Sequence, residues 1–318
     1  MQKHEMRYLA IIVAAACLLV FSSGVSELTP KFTSQNADEH MFTMHVINVG
    51  QADAILLAKD NTYALIDAGE TMNPPEREAR ERLFSYLNSL GVKRLEFLLL
   101  THQDYDHIGN ALDVLKQYDV KIVYDNGITH TTATYEKLMQ YILEKNIPYR
   151  MVSTENKIQS PWRDVRLNIL SPQQDLVKVE SKPDINENSV VMKVIYKNVS
   201  YLLTGDAGRR AEERMLASGM DLKAEILKAG HHGSSSSSTK AFLNAVHPEV
   251  IVISVGKDNE YNHPHIESLE RFEKMTKYIY RTDIDGDIVV ATDGENYSVL
   301  THTPHWYKNI IPNTFLGI

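Results

Sequence analysis

The stretch Leu98-Leu99-Leu100-Thr101-His102-Gln103-Asp104-Tyr105-Asp106-His107 constrains this chain more than any other. An apolar run with the pattern of a buried strand stops at four side chains able to bind a metal, His102, Asp104, Asp106 and His107. Neutral imidazole and carboxylate together suit Zn²⁺ or Mn²⁺. In an extended or loop conformation, alternation sends His102, Asp104 and Asp106 to one side, with His107 following on the turn. Such a segment can serve two adjacent metals. A helix N-cap carboxylate would account for one of these residues and leave the others without a role.

The same event recurs along the chain. The apolar run Leu203-Thr204-Gly205-Asp206 ends in a carboxylate. The run Ala224 to Lys228 leads to Gly230-His231-His232-Gly233-Ser234, and Val250 to Ser254 leads to Tyr261-Asn262-His263-Pro264-His265. Six of the 13 histidines lie in these loops. Where strands are parallel, their C-terminal edges lie side by side, so segments distant in sequence converge there. Each pair alone is weak evidence, and the recurrence at strand ends is what carries weight. Asp67, in Ile66-Asp67-Ala68-Gly69, also closes an apolar run and reads as a residue that supports the site. Two cations sharing a carboxylate such as Asp206 can hold a bridging water and bring its pKa from 15.7 toward about 7, with no Ser, Cys or Lys nucleophile needed. Tyr105, inside the cluster, is a candidate for the substrate mouth.

A chain of 318 residues, 43% hydrophobic, can bury a large core without disulfides. Its net charge of -8 excludes a basic nucleic-acid clamp over the whole surface. Cys17 is the one cysteine, so metal ligands in the folded part must be His, Asp or Glu. Lys3 and Arg7 precede the apolar run Tyr8 to Phe21, and Ser22-Ser23-Gly24 follows. Residues 1–24 therefore read as a signal peptide or N-terminal membrane anchor, 25–40 as a flexible tether, 41–303 as one folded domain and 304–318 as a tail. That order puts the domain outside the cell or on its surface. Within it, helices are predicted over Pro75 to Leu90, Asn110 to Tyr118, and Tyr135 to Lys145 with Leu138, Met139, Ile142 and Leu143 inward. Gly109 is expected in a tight turn, residues 171 to 188 as a loop, and the five serines 234 to 238 as a loop or helix start.

Together, Thr101 to His107, Leu203 to Asp206 and the later histidines resemble the metallo-β-lactamase superfamily. The chain is most similar there to the extracellular hydrolase-like domain of ComEC-type competence proteins and its free-standing relatives. Asn48-Val49-Gly50-Gln51-Ala52-Asp53-Ala54 and Arg281-Thr282-Asp283-Ile284-Asp285-Gly286 add to the likeness. The resemblance implies an α/β fold, a single-domain αββα sandwich, with a site for two divalent metal ions, Zn or Mn, at one edge. It implies His102, Asp104 and His231 on one metal, Asp106, His107 and His263 on the other, and Asp206 between them. His232 and His265 are then supporting or alternative ligands, Asp67 a supporting carboxylate, and Asp106 and His232 the candidate catalytic residues. Asp104 stands where the superfamily usually has histidine, which makes the site harder and favours Mn²⁺ more than usual. The histidine usual ahead of the bridging aspartate has no counterpart, since Asn186-Glu187-Asn188-Ser189 occupies that region. The implied activity is that of a secreted or membrane-tethered hydrolase, of phosphodiesterase type, acting on nucleic acid or a phosphorylated cell-surface component. The alternatives are a lactamase or lactonase, and a non-enzymatic binding module with a degenerate site.

Overall fold

The computed structural model describes residues 41–70 and 76–301. The expected signal or anchor, the tether and the C-terminal tail lie outside the described residues. Among those described, no helix is long and apolar enough to cross a membrane.

Two mixed sheets form the centre. Eight strands make the first, in the order 297–301, 288–292, 42–46, 55–59, 62–66, 98–99, 123–125, 149–151, antiparallel up to 62–66 and parallel beyond it. Six strands make the second, in the order 278–281, 250–253, 226–228, 199–203, 191–196, 165–171, with the first four parallel. Alternation along each strand divides the apolar residues between two faces. Phe42, Met44, Val46, Ile55 and Leu57 meet Met192, Val194, Tyr196, Tyr201 and Leu203 between the sheets. Leu56, Leu65 and Leu98 point the other way, onto the helices Glu76–Ser89, Ala111–Gln117 and Ala133–Glu144. Leu202, Leu227 and Ile251 do the same beneath Arg209–Ala217, Lys240–Val246 and Ile266–Glu273. Both faces of both sheets are covered, which is why so many strands read as unbroken apolar runs. The expected αββα sandwich is the fold.

Several local expectations change. Leu143 is 78% exposed, whereas Tyr135, Leu138 and Ile142 are buried. One residue is a rotation of about 100° on a helix, so the position after Ile142 leaves the inward stripe. The segment 171 to 188 contains a short hairpin, Lys178–Val179 with Lys182–Pro183, and a helical turn at Asn186–Asn188. Gly109 lies in the expected turn into the helix Ala111–Gln117, with a right-handed backbone (φ -54). A β-carbon there would stand 2.7 Å from Glu70 Cα and 2.9 Å from Gly69 O, so close chain approach explains the glycine.

Candidate metal centre

All the candidate ligands sit at C-terminal strand ends along one edge of the sandwich. The strands Thr62–Ile66 and Leu98–Leu99 run parallel and deliver Asp67 and the segment from Thr101. Tyr105–Ile108 is a helical turn. This corrects the reading for Asp106, which a helical backbone and not alternation places; His107 lies on the turn, as expected. From the other sheet, Val199–Leu203 delivers Asp206, Ile226–Lys228 delivers His231 and His232, and Val250–Ile253 leads toward His263.

Asp67 organises the first strand end. Its Oδ1 accepts from the Thr101 amide at 2.7 Å, and its Oδ2 accepts from Thr101 Oγ1 at 2.7 Å and His107 Nδ1 at 2.8 Å. A carboxylate can only accept, so His107 carries its proton on Nδ1. Thr101 Oγ1, having donated to Asp67, accepts from His102 Nδ1 at 3.1 Å. His232 Nδ1 donates to the Ser254 carbonyl at 2.9 Å. Three tautomers are thereby fixed, and each turns the lone pair of Nε2 inward.

Those lone pairs face Asp206. His107 Nε2 lies 3.3 Å from Asp206 Oδ1, and His232 Nε2 lies 3.0 Å from Asp106 Oδ2. One ligand atom each from Asp106, His107, Asp206 and His232 falls within 4.8 Å of the others. Toward Asp206 Oδ2 stand His231 Nε2 at 3.6 Å, His232 Nε2 at 3.7 Å and His102 Nε2 at 3.9 Å, with Asp104 Oδ2 3.5 Å from His102 Nε2. Asp206 thus presents Oδ1 to His107 and Oδ2 to the other three histidines. Buried and without a hydrogen-bond partner among the described residues are His102 Nε2, His107 Nε2 and Asp206 Oδ1. Leaving such atoms unpaired costs about 1–3 kcal/mol each, and divalent cations held among them would satisfy all three. The residues present fit a divalent metal.

One expected partner differs. The implied set placed His263 with Asp106 and His107, but the four-residue cluster there contains His232 instead. His263 stands beside His231 and His232, with ring centroids 5.5 and 6.3 Å away, and its Nδ1 is 3.4 Å from Gln51 Nε2. His265 Nδ1 accepts from the Ser235 amide at 2.9 Å, a bond that holds the serine loop. The reason His231 and His232 can face two different donor groups is their backbone. Both are left-handed (φ 49 and 52), followed by Gly233 at φ 83. A β-carbon on Gly233 would meet Pro264 Cβ at 2.5 Å, so only glycine fits. Non-glycine residues pay about 1–2 kcal/mol for that conformation, and strain kept at such a place points to function.

The serine run is structural support. Ser237 Oγ donates to Gly230 O at 2.7 Å, and Arg271 donates to Ser237 O and Ser238 O at 2.9 and 3.0 Å. At the position of the missing histidine, Asn188 is occupied with Val177 and Asp184, while Ser189 Oγ accepts from the Asp206 amide at 3.2 Å. That segment positions Asp206 and offers no ligand. Beside the cluster opens a cavity of about 670 Å³ lined by Gln51, Arg82, Tyr105, Asp106, Lys257 and Tyr261 among others.

With protons as the only cations, the cluster is strongly polarised. Burial alone would raise Asp106 and Asp206, but the neighbouring charges of His107 and His232 hold both well below the usual carboxylate range. Burial would lower His107, yet Asp206, Asp106 and Asp67 push it well above its ordinary value. His232, buried but facing Asp206, Asp106 and Asp53, is raised to about 8. His263 is lowered to about 4 by burial and by its cationic neighbours. The depressed carboxylates stabilise the fold above about pH 3.9, and that contribution goes as pH falls below it. The raised histidines stabilise it fully below about pH 6.5, and that contribution is lost as pH rises through about 8. His231 and His263, held neutral, act with the opposite sign and only near or below pH 6.5. Metal-stripped protein is therefore expected to lose stability between pH 7 and 8.5, whereas Mn²⁺-loaded protein does not, because metal replaces the protons. Urea midpoints across that range check this; a rising midpoint for stripped protein would contradict the pairing.

A two-sheet sandwich covered by helices, with histidines and aspartates converging on one shared carboxylate, defines a fold with a candidate metal centre at its edge. The profile described as "Metallo-beta-lactamase superfamily" matches residues 47–257, and the chain belongs to that superfamily. It is 30% identical over 256 residues to "ComE operon protein 3" of Bacillus subtilis, covering 76% of this chain and 32% of that protein. It is 28% identical to "Competence protein ComA" of Neisseria gonorrhoeae, covering 87% of this chain and 38% of that protein. The chain thus spans about a third of the length of these relatives. Among solved structures, the metallo-β-lactamase fold protein YhfI of Bacillus subtilis matches with a TM-score of 0.50 at 11% identity. That match covers 80% of this chain and 100% of YhfI, and is a likeness of fold.

Proposed function

We propose that this protein is a dinuclear-metal phosphodiesterase acting in or outside the cell envelope. The observation that supports it most is the position of Asp206, buried among four histidines, with Oδ1 turned to His107 and Oδ2 to His102, His231 and His232. His102, Asp104 and His231 would hold one ion, Asp106, His107 and His232 the other, with Asp206 shared. His263 and Tyr261, whose rings stack at 5.7 Å, border the open side. Two bound divalent cations would supply water acidified toward a pKa of about 7 and charge stabilisation at phosphorus.

The protein's own groups do the rest. Asp67, Thr101 and Ser254 hold the imidazoles in the tautomer a metal requires. Ser189 and the turn at Gly205 fix Asp206. Asp104 adds an oxygen where a nitrogen is commoner, so Mn²⁺ is the first ion to try, ahead of Zn²⁺. The adjoining cavity carries Glu70, Asp258, Glu260 and Asp283 against Arg82 and Lys257. That balance suits a short or small diester, from nucleic acid or the cell surface, better than a long polyanion. The relationship to competence proteins supports a place at the cell envelope.

The test is hydrolysis of bis-p-nitrophenyl phosphate by metal-stripped protein resupplied with Mn²⁺ or Zn²⁺. Activity is expected to return with Mn²⁺ and to fall at least about 100-fold in Asp106→Ala. Cleavage of esters or lactams but not the diester would replace the substrate class. Failure to bind any divalent ion would leave a binding module.

A further inference from the structure

Directly behind the ligands lies a charged pair that the ligand set does not include. Lys228, the last residue of the strand Ile226–Lys228, is 0% exposed, and its Nζ stands 2.6 Å from Asp53 Oδ2, which is 1% exposed. A buried ion pair seldom stabilises a fold more than apolar residues of equal volume would. Its retention in an apolar strand calls for another reason.

Asp53 supplies one. Its second oxygen, Oδ1, has no hydrogen-bond partner among the described residues and lies 3.5 Å from His232 Nδ1. Its backbone amide donates to Asp106 O at 3.2 Å, and its carbonyl accepts from the Gly69 amide at 2.8 Å. Asp53 therefore touches the loops of three site residues: Asp67, Asp106 and His232. It also brings a carboxylate oxygen within 4.8 Å of ligand atoms of Asp67 and His107. Charge gives the second argument. Five carboxylates, Asp53, Asp67, Asp104, Asp106 and Asp206, gather at this edge among neutral imidazoles. Two divalent cations neutralise four of them. The fifth requires one more positive charge, and Lys228 is the buried group that provides it.

We infer that Lys228 and Asp53 are positioning residues, a buried pair that closes the charge balance of the metal centre behind His232. Lys228 holds Asp53, whose amide ties down the Asp106 backbone and whose free oxygen puts a negative charge beside the His232 imidazole. This rests on the dinuclear reading above, but it concerns the binding of metal and not the bond that is cleaved.

The experiment is Mn²⁺ titration by calorimetry of the metal-stripped full chain, with thermal denaturation of the same samples. Asp53→Asn leaves the Lys228 ammonium unpaired beside the cations. It is expected to weaken Mn²⁺ binding by about 10–100-fold and to lower the melting temperature. Adding Lys228→Met to Asp53→Asn removes the surplus charge and is expected to restore Mn²⁺ binding to within about threefold of wild type. Lys228→Arg, which keeps the charge, is expected to bind Mn²⁺ nearly as wild type does. A double variant as weak as or weaker than Asp53→Asn would reduce the pair to packing and overturn the inference. So would unchanged Mn²⁺ binding in Asp53→Asn. If Asp53→Asn does not fold, the double variant and Lys228→Arg decide alone: both must bind Mn²⁺ close to wild type. Wild-type protein that binds two Mn²⁺ ions with these variant effects, yet cleaves no diester, would sink the phosphodiesterase reading and leave this one standing. Wild-type protein that binds no Mn²⁺ would overturn both.

Discussion

Asp206→Ala is expected to abolish tight metal binding and to lower turnover of a phosphodiester by at least about 10³-fold, on the order of 4 kcal/mol in transition-state stabilisation. The size follows from geometry. Asp206 Oδ1 faces His107 and Oδ2 faces His102 and His231, so one substitution removes an oxygen from both proposed metal positions. The remaining groups cannot compensate, because His107, His232 and Asp106 are held in place by Asp67, Ser254 and the turn Tyr105–Ile108. Loss of the carboxylate also takes away the first charge that supports a protonated His107. Metal-stripped Asp206→Ala should therefore be less stable than stripped wild type by about 3 kcal/mol at pH 6, the cost of breaking a buried ion pair from one side. Metal content by elemental analysis and urea midpoints at pH 6 measure the two effects separately. A variant that keeps two metals per chain and normal turnover would remove Asp206 from the centre of the site.

The strand ends were legible because metal-ligand residues rarely interrupt a fully apolar run. Asp67, His102, Asp104, Asp106, His107, Asp206, His231 and His232 come together at one edge, where parallel strands end side by side, whereas His265 is bonded to the serine loop. Which histidine of each pair faces which carboxylate was not legible. That choice depends on three successive left-handed residues, His231 to Gly233, and sequence marks only the glycine. The helical turn at Tyr105–Ile108 was hidden for a similar reason. Its four residues are too few to show a period, and the preceding strand biases the reading toward extension. Lys228 and Asp53 left a usable trace, each being a charge set inside an apolar stretch, Ile226-Leu227-Lys228-Ala229 and Ala52-Asp53-Ala54-Ile55. Either alone passes for an incidental polar residue; only the fold shows that the two touch. Thr101 stands in the motif with no role of its own legible in sequence, although its hydroxyl sets the His102 tautomer.

Asp67 gives the second large effect without being a ligand. Its two oxygens accept from the Thr101 amide, the Thr101 hydroxyl and His107 Nδ1, and it is 1% exposed. Asp67→Asn is the informative change, because asparagine tolerates the left-handed backbone (φ 55) that Asp67 adopts. An amide cannot serve all three donors. With its NH₂ toward His107, it forces Nδ1 to accept and puts the proton on Nε2, the atom the metal needs. With its NH₂ toward Thr101, it faces the backbone N–H donor to donor. Either arrangement is expected to weaken metal binding and turnover by about 10–100-fold and to cost about 1–3 kcal/mol of stability. Asp67→Ala should exceed both losses. The discriminating measurement is Mn²⁺ affinity from pH 6 to 8. A tautomer forced onto Nε2 costs affinity across the whole range and shows in the ¹⁵N shifts of the His107 ring in metal-free protein at pH 8. Weakened Mn²⁺ binding with the proton on Nε2 in Asp67→Asn would establish that Asp67 acts by fixing the His107 proton. Mn²⁺ binding equal to wild type would show that the backbone and Thr101 orient His107 without it.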